Sequence, residues 1–146
     1  MSEKRPLRPP IDKYNALYWS ALQEHALRLP KCDACGHLQF PMGPCCSTCL
    51  NTTFTWVELS GRGTVWSYIV YHHAFHPSLK DSLPYNVAEI QLEEGVRLLS
   101  NVVGLPNDAI RNNMPVQARF DRIDDELTLL RFEPISAGAS VIGASP

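Results

Sequence analysis

Hydrophobic residues near the start of the chain recur at intervals of three and four positions. The positions in this pattern are Tyr14, Leu17, Tyr18, Ala21, Leu22, His25 and Leu29. Such spacing places side chains on one face of an amphipathic helix. Asp12 is suited to cap the start of that helix, and Pro30 would end it. The pattern therefore predicts one helix over about residues 13–27.

After residue 60 the pattern changes to the alternating and β-branched residues that are typical of strands. Strands are predicted over residues 64–71, 85–92, 96–103, 116–120 and 127–132. The second and third strands flank a turn at Glu93, Glu94 and Gly95, so they form a hairpin. A helical turn at residues 108–111 separates the third strand from the fourth. Five strands in this order predict an OB-fold barrel.

The composition is that of an ordinary globular protein. The chain has 146 residues, of which 45% are hydrophobic and 19% are charged. This length predicts one domain or two small units and excludes a large stand-alone enzyme. The apolar runs are too short to cross a bilayer, and the first six residues contain no apolar segment of the secretory kind. We therefore expect a cytoplasmic protein with no membrane partner.

The charges are distributed unevenly along the chain. Residues 1–31 carry six basic and three acidic side chains, whereas residues 58–134 carry seven and eleven. Because affinity for nucleic acids comes largely from clustered cations, the acidic part predicts no nucleic-acid partner. Exposed aromatic residues on an OB-fold can nevertheless stack on bases, and Trp66, Tyr68 and Tyr71 lie in the first barrel strand. A nucleic-acid binding module therefore stays an alternative.

Five cysteines lie between the predicted helix and the first barrel strand. Cys32 and Cys35 form one Cys-x-x-Cys pair, and Cys46 and Cys49 form a second pair after ten residues. Two tight turns that each present two thiolates have the ligand geometry of tetrahedral zinc. Four protein thiolates leave no open position for water, so the predicted Zn²⁺ is structural. In so short a segment the metal would supply most of the folding free energy.

Two further residues of this segment refine the zinc prediction. Gly36 directly follows the first pair and can supply the positive φ that the turn needs. Cys45 is a fifth thiol beside the second pair and could replace Cys46 as a ligand. Cys46 is preferred because it preserves the two-residue spacing to Cys49.

The predicted chain is mainly β and has four parts. Residues 1–29 form an N-terminal arm and the amphipathic helix, and residues 30–58 form a zinc ribbon. Residues 59–135 form the five-stranded OB-fold barrel. Residues 136–146 are dominated by Ala, Gly and Ser, and they predict a flexible tail.

Several motifs, taken together, resemble one known family. They are Cys32-x-x-Cys35-Gly36, Phe40-Pro41, Cys46-x-x-Cys49, Ser60-Gly61-Arg62-Gly63-Thr64-Val65, His73-Ala74-Phe75-His76-Pro77, Leu83-Pro84-Tyr85 and Glu94-Gly95-Val96-Arg97-Leu98-Leu99-Ser100-Asn101. With these motifs, residues 14–134 are similar to the domain-of-unknown-function family that joins an N-terminal helix, a rubredoxin-like zinc ribbon and an acyl-CoA-associated OB-fold.

The resemblance implies an accessory subunit of a thiolase-like enzyme. Members of the family assemble with thiolase-like and ketosynthase-like subunits, which carry the catalytic residues, so this chain is expected to be non-catalytic alone. Its small format most resembles the small subunit of the multicomponent C-acyltransferase that makes diacetylphloroglucinol, a secondary metabolite. The alternatives are a subunit of a thiolase-like aldolase, a subunit of an acetoacetyl-CoA thiolase and condensing complex, and an independent acyl-CoA binding module.

The predicted helix carries three aromatic residues, Tyr14, Tyr18 and Trp19. Such a surface can dock on a partner protein or on the helix's own chain, and the sequence does not choose between these two interpretations.

A histidine-rich loop follows the first barrel strand and contains His73, Phe75 and His76. These side chains could fill the mouth of the barrel, pack on another subunit or bind a second metal. The resemblance adds a contact with CoA or an acyl group. Because the sequence offers no evident nucleophile motif to accompany the histidines, no catalytic residue is predicted.

Overall fold

The computed structural model describes residues 8–135 of the chain. One helix and seven strands are formed: α1 (Ala16–Gln23), β1 (Arg28–Cys32), β2 (Phe54–Glu58), β3 (Arg62–Tyr71), β4 (Tyr85–Leu92), β5 (Arg97–Ser100), β6 (Pro115–Arg122) and β7 (Thr128–Pro134). The predictions for residues 136–146 and for the first seven residues lie outside the described range.

The helix is shorter than the sequence predicted, and both of its ends need correction. The Asp12 carboxylate accepts the backbone N–H groups of Tyr14 and Asn15 at 2.8 and 3.0 Å, so it closes a turn before the helix. α1 therefore begins at Ala16. At the other end His25 has a φ of 58°, a left-handed conformation that a helix cannot contain.

Pro30 lies inside β1 and does not end a helix. β1 and β2 pair in an antiparallel two-stranded sheet in which Pro30 is opposite Trp56 and Cys32 is opposite Phe54. The carbonyl of Pro30 still accepts a hydrogen bond from the backbone N–H of Gln39 at 3.0 Å. This small sheet brings the two cysteine-bearing turns side by side.

The remaining five strands curl into the predicted OB-fold barrel. Their order is β5-β4-β3-β6-β7, and each neighbouring pair is antiparallel. A parallel bridge between Val102 and Phe132 joins the two ends of the sheet, with hydrogen bonds of 2.8 and 2.9 Å on either side. A 3-10 turn at Asn107–Ala109 separates β5 from β6. The fold class predicted from the sequence is confirmed.

One hydrophobic core connects the helix, the small sheet and the barrel. Its buried residues include Leu22, Leu29, Val65, Ile90 and Phe132. α1 packs against β1, β6 and β7 of its own chain, and the side-chain amide of its last residue donates to the Asp125 carbonyl at 2.9 Å. The helix is thus docked on its own chain, as one of the two interpretations expected. Within residues 8–135, no helix is long and apolar enough to cross a membrane.

Candidate metal centre and surrounding contact residues

The four predicted ligand cysteines come together at the end of the small sheet. The sulfur atoms of Cys32, Cys35, Cys46 and Cys49 all lie within 4.8 Å of one another. The Cys32–Cys49 and Cys35–Cys46 sulfur distances are 3.5 and 3.7 Å. Zinc–sulfur bonds in a tetrahedral site place the sulfurs about 3.8 Å apart, so this cluster has the size of a zinc site. The four cysteines are positioned to bind a metal ion and would hold Zn²⁺ as a structural ion.

The two turns have the same backbone construction. Gly36 donates its backbone N–H to the Cys32 carbonyl, and Leu50 donates to the Cys46 carbonyl, both at 2.9 Å. The φ angles of Gly36 and Leu50 are 76° and 66°. Gly36 therefore plays the part that the sequence predicted, and Leu50 occupies the corresponding place in the second turn without a glycine's freedom.

Hydrogen-bond donors surround the sulfur atoms. The backbone N–H of Thr48 points at the Cys46 sulfur at 3.4 Å, and the Asn51 amide lies 3.8 Å from the Cys32 sulfur. The Cys35 N–H is the main reason why the pKa of Cys32 falls to about 6, against the opposing effect of burial. These donors stabilise thiolate, which is the form of cysteine that binds metal.

The buried side chain of Gln39 holds the second turn in place, and the sequence analysis missed it. Its amide donates to the Cys45 carbonyl at 3.0 Å, and its oxygen accepts the Ser47 N–H at 2.9 Å. Cys45 itself lies outside the group of four sulfurs. The only sequence signal for this role was a polar residue between two apolar ones, Leu38 and Phe40.

Replacing Leu50 by glycine should tighten zinc binding. A non-glycine residue in the left-handed region costs roughly 1 kcal/mol, and the Leu50 side chain is 72% exposed, so little packing is lost. Glycine also loses more conformational entropy on folding than leucine does, and this cost offsets part of the gain. We expect the free energy of zinc binding to improve by about 0.7 kcal/mol, which a chelator competition would measure as roughly 3-fold tighter binding.

Leu50→Ala is the matched control, because it removes the same exposed side chain and keeps the backbone penalty. It should bind zinc no more tightly than the wild type. Equal affinities for the Ala and Gly variants would show that the left-handed turn carries no cost.

The histidine-rich loop brings no group of three potential metal ligands together within residues 8–135. His76 accepts the Ser78 N–H at 3.1 Å through Nδ1 and so caps the 3-10 turn at Pro77–Ser82. The His73 ring packs edge-on against Phe75, whose side chain is exposed. Within residues 8–135, the cysteines are the one cluster with three or more potential metal ligands. His73, Phe75 and His76 therefore remain candidates for contact.

The aromatic residues of the helix are not equally accessible. Tyr18 is buried, and its ring packs edge-on against Trp19 and Phe40 at 5.1 and 5.7 Å. It belongs to the core, so its predicted role as a surface contact needs correction. Tyr14 and Trp19 are half-buried and keep part of their surface accessible.

A β-bulge in β3 separates the three aromatic residues of that strand. The register shifts between Val65 and Ser67, and Tyr68 then pairs with buried Ala88 and donates its hydroxyl to the Ile110 carbonyl at 3.0 Å. The Tyr68 side chain thus packs against the core and is less available for the stacking on a base that the nucleic-acid alternative requires. Trp66 stays on the outside beneath the guanidinium of Arg97, which lies 3.7 Å from the ring centre.

Comparisons with known proteins agree with this architecture. Residues 19–55 match the family described as "ChsH2, rubredoxin-like zinc ribbon domain", and residues 56–121 match "ChsH2, C-terminal OB-fold domain". The solved structure of the "Ltp2-ChsH2(DUF35) aldolase" contains a chain that is 42% identical, with a TM-score of 0.79. The similarity covers 88% of this chain and 100% of that one.

Three curated relatives differ in how much of their length is shared. The chain is 42% identical to a probable enoyl-CoA hydratase alpha subunit of Thermomonospora curvata but spans only 39% of its length. It is 29% identical to the benzoylsuccinyl-CoA thiolase subunit BbsA of Thauera aromatica and covers 77% of it. It is 33% identical to a "DUF35 domain-containing scaffold protein" of Methanocaldococcus jannaschii and covers 82% of it. The chain belongs to the DUF35 family, whose members combine a rubredoxin-like zinc ribbon with an OB-fold.

Proposed function

We propose that this chain is a non-catalytic scaffold subunit that assembles with a thiolase-like enzyme acting on acyl-CoA. The observation that carries the proposal is the match to the DUF35 scaffold protein of Methanocaldococcus jannaschii, which extends over 79% of this chain and 82% of the relative. The hydratase activity in the name of the Thermomonospora curvata relative is not transferred, because the shared part is 39% of that protein.

The site geometry supports a structural role for this chain in the complex. The four clustered thiolates would be fully used as zinc ligands and leave no coordination position for a substrate. The Nδ1 atom of His76 is occupied as an acceptor within its own loop. The reacting groups of the complex are therefore assigned to the partner, and this chain supplies a rigid surface against which the partner is held.

Two reactions are compatible with such a complex. The first is the C-acyl transfer that the sequence resemblance implied, in which an acetyl group passes from one acyl donor to a phloroglucinol-type carbon. The second is aldol cleavage of an acyl-CoA, and it is favoured by the 42% identity to a chain of the Ltp2-ChsH2(DUF35) aldolase. His73 and Phe75 are proposed contacts for the acyl-CoA where it enters the partner.

Co-expression with a thiolase-like protein encoded by a neighbouring gene should yield a stable complex. We expect acyl-transfer or aldol-cleavage activity from the co-purified complex and none from this chain alone. A phloroglucinol acceptor and a β-hydroxyacyl-CoA, assayed separately, distinguish the two reactions.

The controls are the separated subunits. The chain alone should bind zinc and remain folded while it turns over neither substrate. Full activity of the isolated chain would overturn the scaffold proposal, and so would failure of the two proteins to associate when both are folded.

A further inference from the structure

The barrel has two outward faces of opposite character. On the β6–β7 face the charges pair with one another. Asp121 binds Arg119 at 3.0 Å and Arg131 at 2.8 Å, and Glu133 lies 3.8 Å from Arg119. A face that satisfies its own charges and shows ionic groups to water is an ordinary solvent-exposed surface.

The outward face of β3, β4 and β5 exposes apolar side chains by contrast. Its most exposed members are Trp66, Ile69 and Leu99, at 48%, 53% and 67%. We call this surface the apolar face and define it as Trp66, Ser67, Ile69, Tyr71, Tyr85, Val87, Glu89, Gln91, Arg97 and Leu99. Apolar surface on one contiguous patch, unlike single scattered residues, marks an interaction site.

Strand register makes the apolar face continuous. Ile69 lies directly opposite Val87, and Tyr71 lies opposite Tyr85, with the two tyrosine rings stacked at 5.1 Å. On the other side of β4, Leu99 lies opposite Glu89. Cross-strand partners have neighbouring side chains and diagonal ones stay within reach, so Ile69, Val87 and Leu99 adjoin across the three strands, with Ser67 and Glu89 beside them.

One carboxylate lies in the middle of the apolar face without a partner. Glu89 is half-buried between Ser67 on β3 and Leu99 on β5, and no side chain within residues 8–135 forms an ion pair with it. Partial desolvation of an unpaired charge is unfavourable, and a cation supplied from outside would relieve it. Arg97 also has no carboxylate partner in the described range, since it contacts Trp66 and donates to Gln91 at 3.3 Å.

We propose that the apolar face is where the thiolase-like partner docks, presenting an arginine or lysine to Glu89 and an acidic group to Arg97. This inference rests on the proposed function and adds the surface and its chemistry. The apolar side chains Ile69 and Leu99 supply the contact area, while Glu89 fixes the register of the partner. Charge complementarity of this kind selects one partner and speeds its association.

Variants of the apolar face should weaken the complex without unfolding the chain. Ile69→Glu and Leu99→Glu place a charge where apolar contact is proposed, and both sites are exposed in the free chain. Glu89→Lys places a positive charge opposite the partner's arginine or lysine, so the two repel each other. For each we expect at least about 30-fold weaker binding to the purified thiolase-like partner in titration calorimetry, the scale of a buried charge left unpaired.

Leu50→Glu and Leu17→Glu are the matched controls. Leu50 is 72% exposed on the second cysteine turn and Leu17 is 56% exposed on α1, so each accepts the same charge away from the apolar face. Both should bind the partner within about 3-fold of the wild type, as expected for surface changes outside an interface. Zinc content and circular dichroism check that every variant is folded.

The outcomes separate this inference from the proposed function. If the wild type does not bind the thiolase-like partner, the proposed function fails and the docking surface falls with it. If the wild type binds and Leu17→Glu disrupts the complex while the face variants do not, the helix is the docking surface and the inference alone is wrong. Sedimentation equilibrium tests whether a second copy of this chain occupies the apolar face instead. A wild-type dimer that Leu99→Glu converts to a monomer would also overturn the inference.

Discussion

Cys46→Ser is expected to abolish zinc binding and to unfold the ribbon, whereas Cys45→Ser should leave both unchanged. The sulfurs of Cys46 and its three companions lie within 4.8 Å of one another, and Cys45 is not part of the group. Serine is a poor ligand for zinc, and structural zinc contributes on the order of 10 kcal/mol to folding in comparable segments. The Cys46→Ser substitution should therefore remove most of the folding free energy of residues 30–58.

The electrostatics of the cluster strengthen this expectation. The Asn51 N–H acts to lower the pKa of Cys49. The adjacent Cys32 sulfur and burial act in the opposite direction, and the pKa rises to about 12. Without a cation the cluster therefore retains protons, because a thiol that is hydrogen-bonded to a neighbouring sulfur holds its proton more tightly. Zinc binding releases these protons and links the two halves of the ribbon, so its affinity should fall as the pH falls.

The measurement is zinc per chain by elemental analysis, together with limited proteolysis of the ribbon. Wild type and Cys45→Ser should each retain one equivalent and resist cleavage, and Cys46→Ser should lose both properties. Because Leu29 of the small sheet belongs to the same core as Val65 of the barrel, the Cys46→Ser barrel should also melt at a lower temperature. Zinc retained by Cys46→Ser and lost by Cys45→Ser would reassign the fourth ligand.

The parts of this fold that were predicted well are those that the local sequence specifies. Strand β4 was predicted at residues 85–92 and is observed at Tyr85–Leu92, with alternate residues buried along its length. Residue type does not reveal the buried side here, since Asn86 is buried whereas Tyr85 and Val87 face outward. The prediction came from the strand-forming residues and from the turn at residues 93–95 that makes a hairpin. The cysteine spacing was equally informative because a metal site fixes ligand types and distances within each turn.

The parts that were missed depend on partners far away in the chain. The helical pattern was followed to Leu29 and Pro30 was expected to end it, yet residues 28–32 form β1 because residues 54–58 lie beside them. Tyr18 was a candidate for partner contact, but it packs against the distant Phe40 and is buried in the core. Trp66 and Tyr68 are two residues apart, a spacing that puts both on one side of a regular strand, but a bulge that depends on pairing with β4 separates them. Single-sequence patterns do not contain these pairings.

The motif glycine Gly63 has a role that only the structure shows. Gly63 lies between two strands, opposite Leu92 on β4 and Val116 on β6. A Cβ atom at this position would lie 2.3 Å from the Gln91 carbonyl oxygen and 3.0 Å from the Leu92 Cα. Both obstacles are backbone atoms in a paired strand, so they cannot move aside as a flexible side chain would. Close approach of two main chains therefore requires glycine here.

Gly63→Ala should destabilise the barrel by about 3 kcal/mol or more, because β3 must separate from β4 to admit the methyl group. For a chain of this size we expect the melting temperature to fall by roughly 10 °C. Gly43→Ala is the control: the nearest atom to its added methyl is the Gln39 amide nitrogen at 3.8 Å, an ordinary contact. It should melt within about 3 °C of the wild type. Similar melting temperatures for both variants would mean that β3 and β4 are not held as closely as their register indicates.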